Sequence, residues 1–177
     1  MFNRNRTLIE ECSRQNAKAQ MQFYRLYYKP VYRCCCRILT QGPEAEDAMQ
    51  ESFIKAFDKL NTIGDAPLEA WLKRIAINTA LDKLKKKQLF LTDTDEYAEI
   101  EEDDPYSEEE TERKVKQVKE AINRLPDGYR IVLSLHLLEG YEYDEIADIL
   151  NIKESSVRGQ YTRARQKLIE CIKNQKI

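Results

Sequence analysis

Residues 140–168, GYEYDEIADILNIKESSVRGQYTRARQKL, constrain the fold more than any other stretch, because two helical patterns lie either side of a short break. Placed at about 100° per residue, Val157, Tyr161, Ala164 and Leu168 fall on one narrow stripe, which Ile172 extends. That stripe is the buried side. The opposite side carries Ser155, Gly159, Thr162 and Gln166, with Arg158 and Arg163 on its shoulders. Short, hydrogen-bonding and cationic groups on one face suit close approach to nucleic acid. A glycine inside a helix costs roughly 1 kcal/mol against alanine, and core packing does not explain Gly159 on this outer face. The preceding pattern, Tyr143 to Leu150, buries Ile146, Ala147 and Leu150, and Asn151 stands where a left-handed residue ends a helix. Together the two predict a helix-turn-helix. The plain alternative is a helical hairpin with a solvated basic face.

The rest of the composition excludes more than it assigns. At 177 residues the chain is long enough for one or two domains with real cores. Only 5 glycines against many charged residues suit an all-α protein. No apolar run approaches the roughly 20 residues of a membrane span, and MFNRNRTLIEECSRQ lacks the apolar core of a secretion leader. The expectation is a cytoplasmic protein with no membrane insertion. Cys12, Cys34, Cys35, Cys36 and Cys171 show no metal-type spacing, and three consecutive helical residues point about 100° apart. They read as small apolar fillers. His136, the sole histidine, lies in the apolar run 131–138 and lacks a partner set for catalysis. No cofactor, metal site or catalytic residue is expected.

The net charge of −2 conceals a segregation. Residues 1–92 hold 16 Lys and Arg against 10 Asp and Glu, residues 93–112 hold none against 12, and residues 113–177 hold 13 against 9. Two basic modules joined by an acidic segment behave differently from a mildly acidic globule. In the first module Ala19, Phe23, Leu26, Tyr27, Val31, Cys34 and Ile38 recur at helical spacing, with Pro30 expected to bend or break the helix. After Gly42-Pro43 a second helix begins near Glu44, its early acids suiting a helix N-terminus, with Met49, Phe53, Ala56 and Leu60 inside. A loop, 61–67, leads to a third helix, about Leu68 to Lys87, with Leu68, Trp71 or Leu72, Ile75 and Thr79 inward. Its outer stripe is Arg74, Asn78, Asp82 and Lys85. Residues 88–112 are too acidic and too poor in apolar groups to form a core, so they read as an extended linker. Helical pattern resumes at Arg113 and, after Pro126, feeds the helix-turn-helix.

Two blocks now resemble one family. EDAMQESFIKAFDKL and AWLKRIAINTALDKLKKK in the first module, and INRLPDGYRIVLSLHLLEGYEYDEIADIL with SSVRGQYTRARQKL in the second, look like bacterial sigma factors of the sigma-70 family. The short extracytoplasmic-function type, which keeps only regions 2 and 4, is the form they resemble. The resemblance implies an all-α fold of two small helical domains, region 2 at 1–87 and region 4 at 113–177, joined by an acidic linker at 88–112.

It also implies roles. Asp47, Gln50 and Glu51 match positions that grip the clamp helices of the polymerase beta-prime subunit. Arg74, Ile75, Asn78 and Lys85 match the part that melts the minus-ten element and holds a flipped base. Ser155, Arg158, Gly159, Thr162 and Arg163 match the recognition helix that enters the major groove of the minus-thirty-five element. The implied partners are core RNA polymerase, through its beta-prime clamp helices and beta flap, promoter DNA and an anti-sigma factor. Two positions depart from the family. Glu142 replaces a frequent Ser or Thr, removing a good N-cap typically worth about 1 kcal/mol, and Asn151 replaces a frequent glycine. The competing readings are a stand-alone helix-turn-helix regulator, which leaves the first block unexplained, and a thiol or metal enzyme.

Overall fold

The computed structural model describes residues 2–40, 42–64, 67–90 and 110–174. Every regular element among them is helical, and the chain divides into two compact units, Met1–Asp93 and Thr94–Ile177.

The first unit holds α1 (Phe2–Ser13), α2 (Ala17–Leu39), α3 (Pro43–Lys59), a 3-10 turn (Leu60–Thr62) and α4 (Leu68–Phe90). Asn16 starts α2 by accepting from the backbone N–H groups of Lys18 and Ala19 at 3.0 and 3.3 Å, which satisfies two donors that a helix start leaves open. Helices α2, α3 and α4 pack pairwise on one another. Their core joins Phe23, Val31 and Ile38 of α2 to Phe53 of α3 and to Leu72 and Ile77 of α4. Fully buried Ala45, Ala48, Ala56, Ala76 and Ala80 let the helix axes approach closely.

Three expectations need correction here. Pro30 does not break α2, which continues through it to Leu39. Phe23 before it and Val31, Cys34, Cys35 and Ile38 after it are all buried on one body, and that packing outweighs the roughly 3 kcal/mol a helical proline costs. Leu26 is 56% exposed rather than inward. Ile75 is only half-buried, while Ala76, Ile77 and Ala80 are buried with Leu68, Leu72 and Thr79. Because α4 packs against both α2 and α3, its buried face is wider than a single stripe.

Buried Cys34 and Cys35 behave as apolar fillers. Desolvation pushes both thiols up to about 12, so they stay protonated and unreactive near neutral pH.

The second unit holds α5 (Glu110–Asn123), α6 (Asp127–Leu133), a π-helical turn (Ser134–Leu138), α7 (Tyr143–Leu150) and α8 (Glu154–Asn174). Ala121, Ile122 and Leu125 meet Leu133, Ala164 and Leu168 in its core. On α7 the buried residues are Ile146, Ala147 and Ile149, with Leu150 half-buried, which rotates the expected stripe slightly. Asn151 adopts φ 53°, ψ 49°, the left-handed conformation expected of it, and the Ile152 N–H returns to the Ala147 carbonyl at 3.0 Å. Glu142 costs α7 less than expected. Its backbone N–H donates to the Glu145 carboxylate at 2.8 Å, so an acid three residues on supplies one arm of a capping box. The acidic linker expected at 88–112 falls mainly on 91–109, outside the described residues; α4 runs to Phe90 and α5 starts at Glu110.

Candidate polymerase and nucleic-acid interfaces

Asp47, Gln50 and Glu51 lie on one face of α3, as positions three and four apart must. Asp47 and Gln50 are exposed. Glu51 is half-buried and engaged on both oxygens, by Lys55 Nζ at 2.7 Å and by Lys83 Nζ of α4 at 3.1 Å. Lys55 also donates to Thr79 Oγ1 of α4 at 3.2 Å. The hydrogen bonds from Lys55 and then Lys83 hold the Glu51 carboxyl below its ordinary value. Glu51 is therefore a strut between α3 and α4, and Asp47 and Gln50 are the groups the face offers outward. The sequence reading missed Lys55 and Lys83; the (i, i+4) spacing of Glu51 and Lys55 was the available signal.

On α4, Arg74 is half-buried and Asn78, Asp82 and Lys85 are exposed. They form one stripe that runs about 16 Å along the helix at 1.5 Å per residue. Ile75 sits at its border, half-buried. Lys83 turns inward to Glu51, while Lys86, next to the end of the stripe, is exposed like Lys85. An amide flanked by cations can read one base edge while phosphates are held nearby.

Helix α8 buries Val157, Ala164 and Leu168 and half-buries Tyr161 and Ile172, as the periodicity predicts. Ser155, Arg158, Thr162 and Arg163 are exposed. A Cβ added at Gly159 meets only the far end of Arg163 at 3.7 Å, so nothing in the chain's own fold requires glycine there. The Thr162 hydroxyl donates to the Arg158 carbonyl at 2.9 Å, and the residue as a whole is exposed. Arg158 is held on two sides: Nε and Nη2 donate to Glu154 Oε1 at 2.9 and 2.5 Å, and the guanidinium carbon lies 4.9 Å from the centre of the Tyr143 ring. The face joins rigid donors, a methyl and a glycine that permits close approach, the inventory a major groove calls for.

Known proteins match both units. The profile of Sigma-70 region 2 matches residues 23–90, and that of Sigma-70 region 4 matches residues 116–168. The RNA polymerase sigma-H factor of Pseudomonas aeruginosa is 31% identical over 93% of this chain and 92% of its own length.

This chain belongs to the sigma-70 family.

Within that family it is of the extracytoplasmic-function type. The ECF RNA polymerase sigma factor SigM of Bacillus subtilis is 28% identical over 83% of this chain and 91% of its own. The fold is shared with the sigma factor RpoE of Bartonella quintana, solved in complex with the anti-sigma factor NepR. That likeness has a TM-score of 0.65 at 21% identity, over 86% of this chain and 96% of that one. Sigma factors of this family are initiation factors rather than catalysts. Among the described residues of this one, no helix is long and apolar enough to cross a membrane.

Proposed function

We propose that this sigma factor binds core RNA polymerase and directs it to specific promoters in the cytoplasm, as a non-enzymatic specificity subunit. The polymerase performs the chemistry. Residues 1–87 act as region 2, residues 113–177 act as region 4, and the acidic residues 88–112 connect them. The observation that carries the reading is the pairing, in one chain, of the α3 and α4 faces with the α8 face. A stand-alone regulator has use for the last alone.

The division of labour follows from the side chains. Asp47 and Gln50, beside the Glu51 strut on the same helix face, present acidic and amide groups to the beta-prime clamp helices. The stripe of Arg74, Asn78 and Lys85 receives the melted minus-ten strand, with Ile75 as its apolar edge. Extruding a base costs a few kcal/mol, which Asn78 offsets by hydrogen bonding to the base and the cations offset on phosphate. Ser155, Arg158, Gly159, Thr162 and Arg163 enter the major groove at the minus-thirty-five element, where the beta flap supports the domain. An anti-sigma factor that covers these surfaces would hold the protein idle.

The test is run-off transcription with purified core polymerase on a library of promoter fragments. Product from a defined start, dependent on this protein, is the expected result. Duplex binding without polymerase, and no product from any fragment, would return the chain to the stand-alone regulator.

A further inference from the structure

Arg158 is more constrained than an exposed arginine needs to be. Its side chain is 62% exposed, yet one edge and one face are already occupied. A guanidinium carries five N–H donors. Glu154 takes the edge formed by Nε and one hydrogen of Nη2, so Nη1 and the outer hydrogen of Nη2 remain as a planar fork. That fork is the one that matches O6 and N7 of guanine.

The ring beneath the fork is itself fixed. His136 stacks on Tyr143 with centroids 4.7 Å apart and planes at 26°. Tyr161 meets the Tyr143 ring at 5.5 Å and the His136 ring edge-on at 5.0 Å. His136 Nδ1 lies 2.8 Å from the Tyr141 carbonyl oxygen. A carbonyl only accepts, so Nδ1 carries the proton and donates. The π-helical turn that holds His136, closed by Glu139 N–H to the Ser134 carbonyl at 3.1 Å, is thereby linked through two stacked rings to the tip of a side chain on α8. An arginine held in this way surrenders little further rotamer freedom when it binds.

We infer that Tyr143 and Glu154 are positioning residues that pre-set the Arg158 fork to read a guanine in the upstream duplex. The inference rests on the reading of α8 as the duplex-reading helix and adds which residues give it base selectivity. Neither Tyr143 nor Glu154 need touch DNA.

The experiment uses the full chain with core polymerase and templates in which every base pair of the upstream element is varied in turn. Wild type should prefer guanine at one position by about tenfold or more, the discrimination of a good bidentate contact, and Arg158→Ala should erase that preference. Tyr143→Ala and Glu154→Gln should shrink it severalfold at that position alone. Tyr143→Phe should retain it, because phenylalanine offers the same ring face to the cation. The inference is overturned if Tyr143→Ala keeps the wild-type preference, if Tyr143→Phe loses as much as Tyr143→Ala, or if Tyr143→Ala weakens all positions equally. Equal weakening would mean that the ring only holds the fold. No product from any template with wild type, together with no binding of the upstream duplex by the protein alone, would overturn the duplex-reading assignment itself, and this inference with it.

Discussion

Along α4, Arg74, Asn78 and Lys85 project without a described intramolecular partner, whereas on α8 the corresponding cation, Arg158, is clamped by Glu154 and laid over Tyr143. The two faces belong to one sigma factor, and the difference matches what each is proposed to meet. A melted strand brings its own flexibility, so adaptable side chains can follow it. A duplex presents base edges at fixed positions, and a pre-set fork reads them at lower entropic cost. In the first unit the fixed ionic contacts lie between the helices, where Glu51 of α3 holds Lys55 and Lys83.

The comparison breaks most severely if the platform of α8 is removed. Leu133 is fully buried in the second unit's core, and Leu133→Ala should cost about 3 kcal/mol by lost transfer energy and the cavity left behind. Upstream-element recognition should fail in transcription assays while binding to core polymerase through the first unit persists; chemical denaturation and a pull-down measure the two.

Gly159→Ala sharpens it with a smaller change of opposite sign. With only Arg163 at 3.7 Å to meet, the added methyl should stabilise the helix by up to about 1 kcal/mol yet weaken upstream-duplex binding. A rise in melting temperature with unchanged DNA affinity would mean that the glycine serves no close approach.

Glu51→Gln tests the strut. Its carboxyl is depressed by Lys55 and Lys83 from an ordinary value of 4.5, so its contribution to stability is present above that value and is lost as pH falls through the lower folded one. The pair is more than one-third exposed, so screening limits the expected loss at pH 7 to less than about 1 kcal/mol. Wild type and variant should draw together in stability as the pH falls from 7 through the carboxylate range, as urea titrations across that range would show. Smallest is Asn151→Gly. At φ 53° glycine relieves the left-handed conformation, and a gain of a few tenths of a kcal/mol is expected with no change in promoter choice.

How much of this was legible depended on how many neighbours each helix has. On α8 the face opposite the core is solvated, so the apolar period of Val157, Ala164 and Leu168 stands out. Helix α4 lies against two partners, and its fully buried alanines at 76 and 80 do not signal the wider buried face, so periodicity alone sets Ile75 too far inward. The break expected at Pro30 rests on local cost alone, which does not register the packing on both sides of it. The outward residues Asp47, Asn78 and Thr162 were legible from spacing and resemblance. Tyr143 over Arg158 was not, because that contact depends on how the turn at Asn151 sets α7 against α8, and no periodicity within one helix encodes it.

On the proposed function, the first unit carries two separable surfaces, one for polymerase on α3 and one for the melted strand on α4. The most direct measurement is promoter-dependent run-off transcription with core polymerase, alongside core-binding and strand-opening assays, for wild type, Asp47→Ala and Asn78→Ala. Expected are product with wild type, loss of core binding in Asp47→Ala, and loss of opening with core binding retained in Asn78→Ala. Core binding retained in Asp47→Ala, or core binding lost in Asn78→Ala, would contradict that separation.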